Sequence, residues 1–194
     1  MKQRLAFFGD SIFVGQYVSP HLAWVTRLSA EIDARFPGRF VVMNASVNGN
    51  TTRMALERMH FDVLSHGPAF VAVQFGLNDC NRWESDRGLP RVSPDAFAAN
   101  LAEIVARAQA FGAEVVLLTN HPTRKGERYD ADARAYNERI REVGAEVVDV
   151  ERALEGREGL LLDDGIHLSE RGHDAYLEVA TPPLLAALAT VEAG

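Results

Sequence analysis

Short unbroken apolar runs recur along the chain at residues 5–8, 40–43, 70–75, 115–118 and 147–150. They are continuous rather than alternating, which suits strands covered on both faces. Between them, apolar residues return every three or four positions, the period of an amphipathic helix. Ser19-Pro20 sets a capping residue before a proline at a first helical position. Leu22, Val25, Leu28, Ile32 and Phe36 then share roughly one face. Ser93-Pro94 repeats the device ahead of Phe97, Leu101, Ile104, Ala108 and Phe111, and Gly112 stops that helix. Further helices are expected over 52–65, stopped at Gly67-Pro68, and over 130–143, stopped at Gly144. A last helix begins near Ser169 and is expected to break or kink at Pro182-Pro183.

Strand and helix therefore alternate from end to end. That order predicts an α/β fold: a three-layer α/β/α sandwich on a five-stranded parallel sheet. No repeat, low-complexity tract or linker interrupts it, so residues 1–194 read as a single domain.

Composition changes the picture in one respect. The formal net charge is -7, and an acidic surface repels both phosphate backbones and anionic membranes. Nucleic-acid and membrane partners are therefore not expected. No apolar stretch approaches the roughly 18 residues a membrane helix needs. The first apolar run is too short for a secretory core of about 7–15 residues, and lone Cys80 has no partner in the chain. Both point to a cytoplasmic protein.

In open parallel sheets, ligands bind beyond the carboxyl ends of the strands. Gly9-Asp10-Ser11-Ile12 follows the first strand. Asn44-Ala45-Ser46-Val47-Asn48-Gly49-Asn50 follows the second, and Gly76-Leu77-Asn78-Asp79 follows the third. Asp164-Gly165-Ile166-His167 precedes the last helix. Together they supply what acyl transfer needs. A serine hydroxyl is a poor nucleophile until a histidine takes its proton and a carboxylate orients the histidine. Ser11, His167 and Asp164 fit those roles. The oxyanion that forms needs preplaced donors, and Ser11 and Gly49 can offer backbone N–H groups and Asn78 a side-chain amide. Each residue also has a plain alternative. Ser11 and Asp10 could cap a helix, Asp164 and His167 could form a surface turn, and Asn78 and Asp79 could stabilise one.

The set of motifs resembles the SGNH (GDSL-type) serine hydrolases, an esterase, lipase and acylhydrolase family. The motifs fall in the family's order and span residues 9–167. The resemblance implies a flavodoxin-like SGNH fold, a catalytic triad of Ser11, Asp164 and His167, and an oxyanion hole of Ser11, Gly49 and Asn78. The departures are Ile12 for the usual leucine, and Asn48 and Asn50 flanking the second-motif glycine. The α/β-hydrolase alternative lacks its Gly-x-Ser-x-Gly elbow, and the dinucleotide-binding alternative lacks Gly-x-Gly-x-x-Gly.

The expected function is cleavage of small carboxylic esters, of short acyl chain or acetyl type, through an acyl-enzyme at Ser11. No cofactor is expected. His21, His60 and His66 lack zinc spacing, so no metal is expected either. Thioesterase, lysophospholipase-type or acyltransferase chemistry would use the same triad. A non-catalytic ligand-binding module would share the fold without needing the residues. Asp10, Asp79, Trp83 and His121 read as supports of the site or walls for substrate. His173 reads as exposed on the last helix, and Cys80 as a small buried filler. The loop over residues 80–92 reads as a substrate wall with Trp83 and an anion-binding Arg82 or Arg91. Its alternatives are a solvated loop pinned by a buried Trp83, or an oligomer contact. The sequence leaves the oligomeric state open.

Overall fold

The computed structural model describes residues 2–191. Five strands form one sheet: β1 (Gln3–Gly9), β2 (Phe40–Asn44), β3 (Pro68–Gln74), β4 (Glu114–Leu118) and β5 (Glu146–Val148). Their order is β2-β1-β3-β4-β5 and every pairing is parallel. The expected sheet is therefore present. Its central strands carry Leu5, Ala6, Phe7, Phe8, Phe70, Val71, Ala72 and Val73, all buried, which is why these segments read as continuous apolar runs.

Helices cover both faces. On one, α2 (Trp24–Arg35) packs on α7 (Glu170–Thr190), which also meets α6 (Val150–Leu154). On the other, α4 (Pro94–Ala110) lies between α3 (Thr52–Asp62) and α5 (Glu127–Glu142). A four-residue helix, α1 (Ser11–Val14), follows β1 directly. Aromatic rings fill the first interface. Trp24 stands edge-on to Phe7 and Phe13, with centroids at 5.8 and 4.9 Å, and lies 4.6 Å from Tyr176. Its indole N–H donates to the Ile12 carbonyl at 3.1 Å, so this core cluster also anchors α1.

Several expectations need correction. Ser19-Pro20 opens a short 3-10 turn over Pro20–Leu22, and the helix proper starts at Trp24. Val150 begins a helix instead of ending a strand, because the Asp149 side chain caps it through the Arg152 N–H. The last helix does not break at Pro182-Pro183. It runs unbroken from Glu170 to Thr190. Two prolines remove two backbone donors, a cost of about 3 kcal/mol each in a free helix. Ala180, Leu184, Ala187 and Leu188 are buried on the same helix, and roughly 1.5–3 kcal/mol per large apolar side chain offsets it. His173 is buried, not exposed. Its Nδ1 accepts the Trp24 N–H at 3.4 Å. Burial drives its pKa down to about 4, so it packs as a neutral ring.

The sheet places the motifs. The chain leaves β1 toward β2 on one side, then crosses to β3 on the other. This makes the gap beyond β1 and β3 the switch point of the sheet, where loops diverge and leave a crevice. Ser11 follows β1 and Asn78 follows β3.

Candidate active site

Ser11 is the first residue of α1. Asp10 caps that helix, its Oδ1 accepting the Ile12 N–H at 3.0 Å. A first-turn N–H has no carbonyl one turn earlier, so the Ser11 N–H has no partner within the helix. The hydroxyl points to His167. Nε2 of His167 lies 2.9 Å from Ser11 Oγ, and its Nδ1 lies 2.6 Å from Asp164 Oδ2. The two hydrogen bonds form one line across residues 156 positions apart in sequence.

The segment carrying Asp164 and His167 holds its own shape. The other oxygen of Asp164, Oδ1, accepts the N–H groups of Ile166 and His167, both at 2.9 Å. Burial raises the Asp164 pKa, but these N–H groups and the His167 ring outweigh it and leave the carboxyl below the usual range. Gly165 adopts φ +70°, and a side chain there would run into the Arg124 carbonyl at 2.4 Å. The Arg124 N–H donates to the Gly165 carbonyl at 2.8 Å, so two loops meet where only glycine fits. His121 braces the segment from beneath, with Nε2 2.7 Å from the Ile166 carbonyl. That ring is buried and burial lowers its pKa to about 4, so it stays neutral. His121 supports the histidine loop and is not an open wall for substrate.

Asn78 stands on the other side of Asp10, and its Nδ2 donates to Asp10 Oδ2 at 3.2 Å. An amide nitrogen has two hydrogens. With one held by Asp10, the direction of the other is set. Gln74 Nε2 also reaches Asp10 Oδ2, at 3.4 Å. Burial pushes the Asp10 pKa up to about 7, against the pull of these donors. The loop bearing Gly49 is tied to β1 by a bond from the Val47 N–H to the Gly9 carbonyl at 3.1 Å. Gly49 itself has φ +73°, and its carbonyl is held by Arg91 Nη1 at 3.0 Å. The N–H on the other side of that peptide, from Asn50, donates to the Val47 carbonyl at 3.2 Å, so the turn around Gly49 is held from both sides.

Asp79 ties the third motif to α3. Its Oδ1 accepts from the Thr52 N–H at 2.9 Å and the Thr52 hydroxyl at 2.5 Å, whereas Oδ2 has no partner. Burial pushes its pKa up to about 6, opposed by Thr52 and the Arg91 charge. The fold therefore holds a proton that the unfolded chain, at 3.8, releases. Stability from this group is fully present below that lower value and is lost as pH rises through about 6. Asparagine keeps the Thr52 contacts and does not ionise. Asp79→Asn should therefore gain on the parent protein by about 2–3 kcal/mol between about pH 4 and pH 7, measured by urea unfolding. A difference that is flat with pH would contradict a buried proton here.

In the loop after β3, Trp83 is half exposed and lies beneath the Arg91 guanidinium, 4.5 Å from ring centroid to Cζ. A Trp83 pinned in the core is therefore ruled out. Arg82 is paired with Asp132 at 2.8 Å and is not free for an anion. Cys80 is buried, and burial raises its thiol to about 12, so it is an unreactive filler. Sequence reasoning missed Tyr17, whose ring meets the His167 ring edge to face with centroids 4.9 Å apart. Among the described residues, no group of three or more His, Cys, Asp and Glu side chains could hold a metal ion. None of the described helices is long and apolar enough to cross a membrane.

A parallel α/β sandwich with serine, histidine and aspartate bonded in line beyond its strands has the architecture and site of a serine hydrolase. Residues 7–175 match the model of the GDSL-like lipase/acylhydrolase family, and the chain belongs to that family. The esterase TesA of Pseudomonas aeruginosa is 31% identical over 186 residues, covering 94% of this chain and 88% of that protein. The crystal structure of a lipase/acylhydrolase from Enterococcus faecalis superposes with a TM-score of 0.81 at 25% identity, over 99% of this chain and 98% of that one. The crystal structure of TesA gives 0.74 at 28% identity, over 94% and 98%. The expected flavodoxin-like SGNH fold and the expected enzyme class, an SGNH-type esterase or acylhydrolase, both hold.

Proposed function

We propose that the protein hydrolyses small carboxylic esters, with short acyl or acetyl groups, through an acyl-enzyme on Ser11. The observation that carries this reading is the continuous bond line Ser11–His167–Asp164, at 2.9 and 2.6 Å. Ser11 Oγ attacks the ester carbonyl as His167 Nε2 takes its proton. The same nitrogen then gives that proton to the leaving alcohol. Asp164 fixes the ring so that Nδ1 carries hydrogen and Nε2 is free to accept. The Ser11 N–H, the Gly49 N–H and the second Asn78 amide hydrogen receive the oxyanion. Asp10 acts through Asn78 by holding its other hydrogen. Water, activated in turn by His167, releases the acid.

The short-acyl part rests on the described elements: the segments between strands and helices carry the motifs and their supports, and none is a large insertion that could enclose a long acyl chain. A fluorophosphonate probe should modify Ser11 alone, located by peptide mass, and should abolish turnover of p-nitrophenyl acetate. Across p-nitrophenyl esters from acetyl to palmitoyl, kcat/KM should fall as the chain lengthens. Labelling elsewhere than Ser11 would end the mechanism. A preference for palmitoyl would end the short-acyl reading alone.

A further inference from the structure

Tyr17 lies just past α1, after Gly15 closes that helix. Its φ is +72°, a left-handed conformation that a bulky side chain rarely adopts. Local bonds hold the turn in place. The N–H groups of Gly15 and Gln16 both donate to the Ser11 carbonyl at 3.0 Å, and the Val18 N–H donates to the Gly15 carbonyl at 3.3 Å. The turn that carries the strained residue is thus fastened, through Gly15 and Gln16, to the backbone of Ser11. Core packing does not explain its side chain, which is 68% exposed. The ring instead stands against His167, centroids 4.9 Å apart and planes at 86°. Strain of this kind persists where the surrounding structure enforces it, commonly at functional sites.

The chemistry of the step assigns a side to this ring. His167 Nε2 must come within about 3 Å of the leaving-group oxygen to protonate it. Whatever that oxygen carries therefore lies beside the His167 ring and its flanks. The acyl chain departs from the carbonyl carbon instead. We propose that Tyr17 is a specificity-determining residue, its exposed ring forming a wall of the leaving-group subsite and favouring alcohols with a flat aromatic face. This rests on His167 being the acid that protonates the alcohol. An aryl group set against a tyrosine ring gains from offset or edge-on contact beyond the area it buries.

Benzyl acetate and ethyl acetate test this directly. They share an acyl group, both alcohols need protonation to leave, and only one carries a ring. Asparagine and glycine tolerate positive φ, so Tyr17→Asn and Tyr17→Gly remove the ring without adding backbone strain. In both, the ratio of kcat/KM for benzyl over ethyl acetate should fall by roughly five- to tenfold. Tyr17→Phe should keep the parent ratio. The ranking of acyl chains, read with p-nitrophenyl esters, should not shift. An unchanged ratio in the asparagine and glycine variants overturns the proposal, and so does a shift in acyl preference in its place. Equal loss on both acetates also overturns it, because it assigns Tyr17 to holding His167. Failure of the underlying mechanism shows separately, as absence of fluorophosphonate labelling at Ser11 in the parent protein.

Discussion

Replacing Ser11 by alanine is expected to lower kcat on p-nitrophenyl acetate by about 10⁴–10⁶-fold. The loss follows from removing one atom. In the proposed mechanism Oγ accepts the acyl group, and it is the partner of His167 Nε2 at 2.9 Å. The donors proposed for the oxyanion stay in place, because the N–H of residue 11 and the Asn78 amide do not depend on the hydroxyl. Some acceleration over water should therefore remain. The fold should be nearly unaffected. Alanine fits the same first-turn position, and Asp10 still caps α1 through the Ile12 N–H. Thermal unfolding should stay close to that of the parent protein while turnover collapses. His167→Ala should cost about as much, and the double variant little more than either, because the two side chains act as one unit. Turnover that survives Ser11→Ala would remove Ser11 as nucleophile, whatever the geometry.

The sequence displays the frame of this site more openly than its supports. The strands read directly because Leu5–Phe8 and Phe70–Val73 are buried on both faces, which leaves no polar alternation. Ser11, Gly49, Asn78, Asp164 and His167 read because each sits at a strand end or just before a helix, where a parallel sheet collects its ligand groups. The supports depend on contacts between distant segments, and local pattern is silent on those. His173 looks like a surface histidine, yet Trp24 claims its Nδ1 from 149 residues away. Pro182-Pro183 looks like a break until the burial of Leu184 and Leu188 is weighed against it. Tyr17 carries no signal at all, since a positive φ at a tyrosine contradicts its own preference. Arg91 looked free to bind an anion, but it holds the Gly49 carbonyl and covers Trp83.

Asp164→Asn is the second large effect, and here the isosteric change should be worse than truncation. Oδ1 of Asp164 accepts two backbone N–H groups, from Ile166 and His167, both at 2.9 Å. Only the oxygen of an asparagine can take that place, since its NH2 would face two donors. The NH2 is then turned toward His167 Nδ1. An unprotonated imidazole facing a donor accepts at Nδ1 and carries its hydrogen on Nε2. Nε2 can then no longer accept the Ser11 proton. The expected loss in kcat is about 10³–10⁴-fold, with KM nearly unchanged. Asp164→Ala imposes no wrong tautomer. The Asp164 side chain is 40% exposed, so water can reach Nδ1 once it is gone. Its loss should be smaller, about 10–10²-fold. The carboxylate also links the site to pH. Its pKa is depressed in the fold, so its bonds contribute stability above the unfolded value near 3.8 and lose it as pH falls through the folded one. Both variants should therefore show less acid destabilisation than the parent protein. The sharpest reading is the order of the two. Steady-state kinetics placing Asp164→Asn above Asp164→Ala in kcat would mean that Asp164 acts by charge alone, and that the tautomer of His167 is set elsewhere.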